Sequence, residues 1–173
     1  MSIAFALVRW LATILPPTIH PMILHFPIVL LYVTAAIDVA GRMFPDRDRF
    51  LQRCGWWSLT LAAAATVATM VAGMVSESSV HFTAVLRPIL QAHQHFAILT
   101  GLSEGAAWLV RLGTRFPAEE GWSVFGLRRG RATWVSTLLV VMAAVFVTVT
   151  ANLGGRMVYD HGAGVLGVTR TRV

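Results

Sequence analysis

Histidines at the ends of apolar runs are the residues of this chain best suited to chemistry. His20 and His25 lie in the stretch HPMILHF, directly before a long apolar run. His93 and His95 precede a second run in AHQHF, and His161 follows the last run in YDHGAG. Because imidazole nitrogens bind iron, zinc and copper, the sequence predicts a haem or metal site near these positions.

The composition predicts that these histidines lie in an integral membrane protein of one domain. The chain has 173 residues, of which 56% are hydrophobic and 13% charged, and its mean hydropathy is +0.67. Soluble domains carry about 25% charged residues, so the usual solvating charge is missing. The alternating pattern of membrane β-strands is absent, so we expect an all-α fold.

Four apolar stretches approach the roughly 20 residues that a helix needs to cross a bilayer. They lie at about 25–43, 55–75, 95–112 and 133–153. Residues 1–17, with Trp10 and a terminating Pro16-Pro17, predict a short interfacial helix. We therefore expect residues 18–173 to form a four-transmembrane-helix bundle with a Gly-rich C-terminal tail.

The basic residues predict the orientation of the bundle. All fourteen are arginines; nine lie in the first and third connections and five elsewhere. The positive-inside rule then puts the first and third connections in the cytoplasm and both termini outside, which is the periplasm if the membrane is a bacterial inner membrane. On this topology all six histidines, His81 included, lie on the outer side. The arginines do not cluster on a soluble module, which argues against a nucleic-acid partner.

Parallel helices that present two histidines at one depth suggest axial haem ligation. The first and third spans run in the same direction, and His25 and His95 are the first residue of each. Two imidazoles from facing helices are what a b-type haem requires, so we predict His25 and His95 as iron ligands. His20 and His161 are then expected to support the ligands or to form a second pair.

Other interpretations remain open. His93 lies about 200° from His95 around a helix, so one of them alone can serve a given centre, and His93 is the rival ligand. The His20–His25 spacing does not match the zinc motif H-E-x-x-H, and interfacial histidines often face lipid headgroups without binding anything. The single Cys54 and the lack of C-x-x-C-H exclude covalent haem attachment.

Two carboxylates fall inside the predicted spans. Glu104 lies near the middle of the third span, where ionisable groups are costly and commonly functional. It is expected either to carry protons together with His93 or to be a protonated group hydrogen-bonded across helices. Asp38 precedes Arg42 by four residues, a spacing that predicts an ion pair on one helix.

The segments HPMILHFPIVLLYVTAAIDV and GGRMVYDHGAGV together resemble the two ends of a family of small bacterial four-helix inner-membrane proteins. Its members are similar to HPMLVHFPIAL at the start and GGxLVYxHGxGV at the end. The resemblance extends from His20 to about Val165 and carries over His25, Asp38 and His161. Relatives occur beside, or fused to, c-type cytochrome domains, which implies electron transfer for a family with no assigned function.

We therefore hypothesise a membrane protein that binds haem b and passes electrons between the quinone pool and a periplasmic redox partner such as a c-type cytochrome. The alternative is a non-catalytic accessory subunit that stabilises a larger respiratory or photosynthetic membrane complex. A third, weaker hypothesis is a transition-metal binder or transporter.

Overall fold

The structure, a computed structural model, describes residues 3–16, 18–44, 49–78, 80, 83–115 and 129–165. Within these ranges the chain forms helices and turns with no strand, which confirms the predicted all-α fold. The helices are α1 Ile3–Ile14, α2 Ile19–Ile23, α3 His25–Met43, α4 Phe50–Glu77, α5 Leu86–Arg115 and α6 Arg129–Tyr159. Leu24 keeps helical backbone angles between α2 and α3, and its N–H donates to the carbonyl of His20 at 3.0 Å.

The four long helices form a closed antiparallel ring. Helix α3 packs on α4 and α6, and α5 packs on the same two helices, while α1 and α2 lie against α4. In the described ranges, α3 and α5 do not pack on each other, and neither do α4 and α6. Helices α3 and α5 are therefore diagonal partners across the bundle.

Small and branched side chains fill the interior of the ring. Its two buried clusters consist of Leu31, Ala62, Ala143 and Val147, and of Leu59, Ala107 and Val140. The small residues let the helix backbones approach closely, as is typical of helix packing in membranes. Larger apolar side chains such as Trp57, Leu102 and Leu138 point outward and are more than half exposed. This apolar outer surface suits a lipid environment.

Three helical segments are long and apolar enough to cross a membrane: Ile19–Met43, Phe50–Glu77 and Thr133–Tyr159. Helix α5 has 30 residues but lies outside this set, because His93, Gln94, Glu104 and Arg111 lower its hydropathy. The length and composition of the helices thus support a membrane protein with three candidate spans, and α5 packs between two of them.

Several helices extend beyond the predicted spans. Helix α3 begins at His25 and ends at Met43, as predicted, but α5 begins at Leu86, nine residues before His95. Helix α6 continues through Gly154 and Gly155 to Tyr159. Glycine weakens a helix by about 1 kcal/mol, so glycines inside α6 indicate that another part of the fold needs their lack of a side chain.

A single guanidinium group joins the four long helices at one end of the ring. Arg111 on α5 forms a buried ion pair with Asp38 on α3, with side chains 14% and 9% exposed. Arg111 also donates to the carbonyl of Gly55 on α4 at 2.9 Å and to Oγ of Ser136 on α6 at 2.8 Å. A Cβ on Gly55 would lie 3.1 Å from Asp38 Oδ1, so the pair sits directly against this glycine.

The expected pairing of Asp38 with Arg42 is wrong. Arg42 instead donates to the carbonyl of Thr133 at 2.6 Å and to Oγ1 of Thr137 at 2.8 Å. Its guanidinium lies 4.2 Å from the ring centre of Trp134. Arg42 turns towards α6 and Asp38 turns towards the interior, where Arg111 reaches it from another helix.

Replacing Arg111 by methionine is expected to lower the free energy of unfolding by about 3–5 kcal/mol, because it leaves a buried carboxylate without its cation. The measurement is unfolding in detergent micelles, followed by circular dichroism. The double variant Asp38→Leu/Arg111→Met should recover most of the loss, because neither charge of the pair then remains without its partner.

Arg156→Met is the matched control, because Arg156 pairs with Asp160 at 3.6 Å on an exposed surface. Exposed pairs contribute about 0–1 kcal/mol. Equal losses in the two single variants would contradict a central role for Arg111.

Candidate functional site

The structure brings together two histidines from separate helices at the other end of the ring. His20 lies on α2 and His93 lies on α5, and both are half-buried. Their ring centres are 6.2 Å apart and their ring planes form an angle of 81°. This histidine pair brings two imidazoles, which are potential metal ligands, into one site.

Both rings make the same hydrogen bond to a neighbouring helix. Nδ1 of His20 lies 3.0 Å from the backbone carbonyl of Thr69 on α4, and Nδ1 of His93 lies 2.9 Å from that of Thr150 on α6. A carbonyl only accepts, so each Nδ1 carries the hydrogen and donates it. In the neutral ring, Nε2 then keeps its lone pair and can bind a metal.

Two glycines make room for the rings. A Cβ on Gly73 would lie 3.3 Å from Nδ1 of His20, and a Cβ on Gly154 would lie 3.4 Å from Cε1 of His93. Gly73 lies four residues after Thr69, and Gly154 lies four residues after Thr150. Each glycine is therefore on the same helix face as the residue whose carbonyl binds the ring. The glycines inside α6 and near the end of α4 thus let an imidazole lie against the helix.

The two halves of the site repeat each other along the chain. Asp38 follows His20 by eighteen residues, and Arg111 follows His93 by eighteen residues. The first two pairs, His20 with His93 and Asp38 with Arg111, are offset by 73 residues. Helices α4 and α6 repeat at a different offset of 81 residues, at which Thr69, Gly73, Leu59 and Ala62 match Thr150, Gly154, Val140 and Ala143. Each of these pairs occupies a corresponding place in the two hairpins, α3–α4 and α5–α6. The repeated eighteen-residue spacing and the repeat between α4 and α6 are the sequence signals that could have paired His20 with His93.

The structure does not bring His25 and His95 together. Both side chains are exposed, and they lie on the diagonal helices α3 and α5. His93 faces His20 while His95 faces outward, as their separation of about 200° around the helix requires. The assignment of His25 and His95 as iron ligands stays a prediction from the sequence.

The remaining histidines lie apart from this pair. His161 is half-buried in the turn after α6, where Gly162 and Gly164 have positive φ angles of 66° and 74°. Within the described ranges, His161 makes no ring contact or hydrogen bond with another histidine. His81 lies outside the described residues.

The described residues contain no group of three or more His, Cys, Asp or Glu side chains that could hold a metal ion. Zinc sites use at least three protein ligands, so this part of the chain offers none. Haem iron takes only axial ligands from the protein. His20 and His93 could supply two imidazole ligands of the kind that a haem iron takes from a protein.

Glu104 is a second unusual group. Its side chain is 1% exposed, and both carboxylate oxygens lack a hydrogen-bond partner in the part of the chain that the structure describes. The Thr66 hydroxyl of α4 lies close to this carboxyl, but no hydrogen bond forms between them. The hydroxyl of Thr69, one turn further along α4, is also buried without a partner. Leaving such groups unpaired costs stability.

A family model described as "Predicted membrane protein (DUF2231)" matches residues 16–167. The chain belongs to this family. No curated protein and no solved structure matches the chain. Membership in the DUF2231 family agrees with the membrane character of the helices and covers the part of the chain for which a resemblance to a small membrane family was expected.

Replacing Glu104 by leucine is expected to raise the free energy of unfolding by about 1–3 kcal/mol, because it removes a buried polar group that has no partner. Leucine suits the place, since Leu31, which follows His20 by eleven residues as Glu104 follows His93, is fully buried. Thermal unfolding in detergent, followed by circular dichroism, measures the change.

Glu77→Leu is the matched control. Glu77 accepts a hydrogen bond of 2.9 Å from Nε2 of Gln94, so its loss should leave stability unchanged or lower it. A larger loss for Glu104→Leu than for Glu77→Leu would mean that the carboxyl of Glu104 does have a partner in the folded protein.

Proposed function

We propose that the protein binds a b-type haem through His20 and His93 and transfers electrons between the quinone pool and a periplasmic redox partner. The observation that carries the proposal is that both rings make the same kind of hydrogen bond to a neighbouring helix. Each Nδ1 donates to a backbone carbonyl, which leaves both Nε2 atoms as potential ligands. Ligating histidines commonly donate their other nitrogen in this way, which fixes the ring and raises its basicity.

The separation of the rings supports the same ligand pair. The ring centres of His20 and His93 are 6.2 Å apart, so both imidazoles would be near enough to hold one haem iron. The carbonyls of Thr69 and Thr150 hold the rings, and Gly73 and Gly154 let them approach α4 and α6. A haem supplies one-electron chemistry when bound.

Glu104 is the proposed proton acceptor for this electron transfer. It lies eleven residues from His93, which is about 20° from the same face of α5. On α4, the hydroxyls of Thr66 and Thr69 are also buried without partners among the described residues, and the Thr66 hydroxyl lies close to the Glu104 carboxyl. These polar groups could exchange protons with the Glu104 carboxyl inside the bundle.

We further propose that α5 is a fourth transmembrane helix and that α1 lies in the interface. A helix of 30 residues is about 45 Å long, which is enough to cross a bilayer. Helix α1 carries an exposed Trp10, which suits an interfacial position. The distribution of arginines supports both termini and the histidine pair on the periplasmic side, with the Arg111 end in the cytoplasm.

After haem-replete expression, the dithionite-reduced wild-type protein is expected to show the sharp α-band of a b-type haem. His20→Ala and His93→Ala should each lose most of the bound haem, because each removes one axial ligand. His25→Ala and His95→Ala are the matched controls and should keep it, since both side chains are exposed and lie apart.

The opposite outcome is equally informative. If His25→Ala and His95→Ala lose the haem while His20→Ala and His93→Ala keep it, the ligands are those suggested by the sequence. A colourless wild-type protein that purifies only within a larger assembly would instead support an accessory subunit.

The single cysteine allows a direct test of the topology. Cys54, at the start of α4, should resist a membrane-impermeant maleimide in intact spheroplasts and react after permeabilisation. A Cys54→Ser/Tyr159→Cys variant should react in intact spheroplasts, because Tyr159 is 90% exposed at the proposed periplasmic end. Labelling of Cys54 from outside would reverse the proposed orientation.

A further inference from the structure

A cavity of about 600 Å³ opens at the Arg111 end of the bundle. It lies where α3 and α5 end and where α4 and α6 begin. Arg111 and His93 are eighteen residues apart on α5, so this end is about 27 Å from the histidine pair. The cavity is therefore separate from the proposed haem site.

The lining of the cavity is strongly basic. It includes the guanidinium groups of Arg42, Arg49, Arg53 and Arg111, which come from three segments of the chain. Among the described lining residues, Asp38 carries the only carboxylate, and Arg111 already binds it. Among the described lining residues, arginines thus outnumber carboxylates by four to one, and this excess of positive charge attracts anions.

Arg42 offers an unused hydrogen-bond donor at this cavity. Its outer nitrogen is held by Thr133 and Thr137, and its guanidinium lies over Trp134. Its Nε is buried and has no hydrogen-bond partner within the described ranges. The partners of Arg42 in these ranges are thus all uncharged, so its positive charge is not neutralised by them and adds to the positive potential of the cavity.

An apolar pocket adjoins the basic cavity and shares Arg53 with it. This second pocket has a volume of about 590 Å³ and is lined by Phe50, Arg53, Cys54 and Trp57. The side chains of Phe50 and Trp57 are more than half exposed. The basic cavity and the apolar pocket together match a molecule with an anionic head and an apolar body.

We infer that the basic cavity binds the phosphate group of an anionic membrane lipid, whose apolar part lies along the Phe50–Trp57 pocket. Guanidinium groups bind phosphate oxygens with paired hydrogen bonds, and basic pockets between membrane helices commonly hold such headgroups. Free phosphate could make the same hydrogen bonds to the arginines, but it has no apolar part to occupy the Phe50–Trp57 pocket. The inference does not depend on the proposed haem.

Native mass spectrometry of the full-length protein in detergent, titrated with single lipids, tests the inference. We expect phosphatidylglycerol to bind at least tenfold more tightly than phosphatidylcholine. Arg49→Gln/Arg53→Gln should weaken phosphatidylglycerol binding at least tenfold. Arg9→Gln/Arg87→Gln removes two exposed arginines outside the cavity and should change binding less than twofold.

Three results would overturn the inference. The first is equal binding of the two lipids, and the second is an equal loss in the two double variants, which would indicate a general effect of surface charge. The third is displacement of phosphatidylglycerol by millimolar inorganic phosphate, which would make free phosphate the ligand.

A second measurement uses the unaltered chain and does not depend on the folding of variants. A photoactivatable phosphatidylglycerol is cross-linked to the wild-type protein, and the modified peptides are identified by mass spectrometry. Cross-links should fall within residues 49–57 and 133–137. Cross-links confined to the opposite end, around Arg87, would contradict the inference.

Discussion

The rest of the bundle depends on the contacts of the Arg111 guanidinium group, because they join α5 to the three other long helices. The guanidinium binds the carboxylate of Asp38 on α3, the carbonyl of Gly55 on α4 and the hydroxyl of Ser136 on α6. Inside a bilayer a buried polar group must find its partners within the protein. Satisfying this one side chain therefore fixes how α5 is rotated about its axis relative to its neighbours.

The same constraint explains why the histidine pair points inward. Eighteen residues are about five helical turns, so His93 lies on the same face of α5 as Arg111. His20 precedes Asp38 by the same distance along the nearly continuous α2–α3 segment. Fixing the ion pair at one end of the ring thus directs both imidazoles to the interior at the other end, where Gly73 and Gly154 make room for them.

The sequence predicted the features that depend on composition and local pattern. The all-α membrane class and the bounds of α3 follow from hydropathy, which lipid exposure enforces along whole segments. The partner of Asp38 did not follow, because an i,i+4 rule sees only one helix, and Arg111 lies 73 residues away. The choice of His25 and His95 rested on depth in the membrane alone. The structure also shows on which face of its helix each histidine lies, and on this basis His20 lies next to His93.

We propose that His20 and His93 hold one haem iron as a pair of imidazoles. Their ring planes lie at 81° to each other, and each Nδ1 donates to a backbone carbonyl. Electron paramagnetic resonance of the oxidised, haem-loaded protein tests this proposal most directly. We expect the strongly anisotropic low-spin ferric signal that perpendicular imidazole planes produce. A high-spin signal, or the ordinary rhombic low-spin signal of parallel planes, would contradict this geometry.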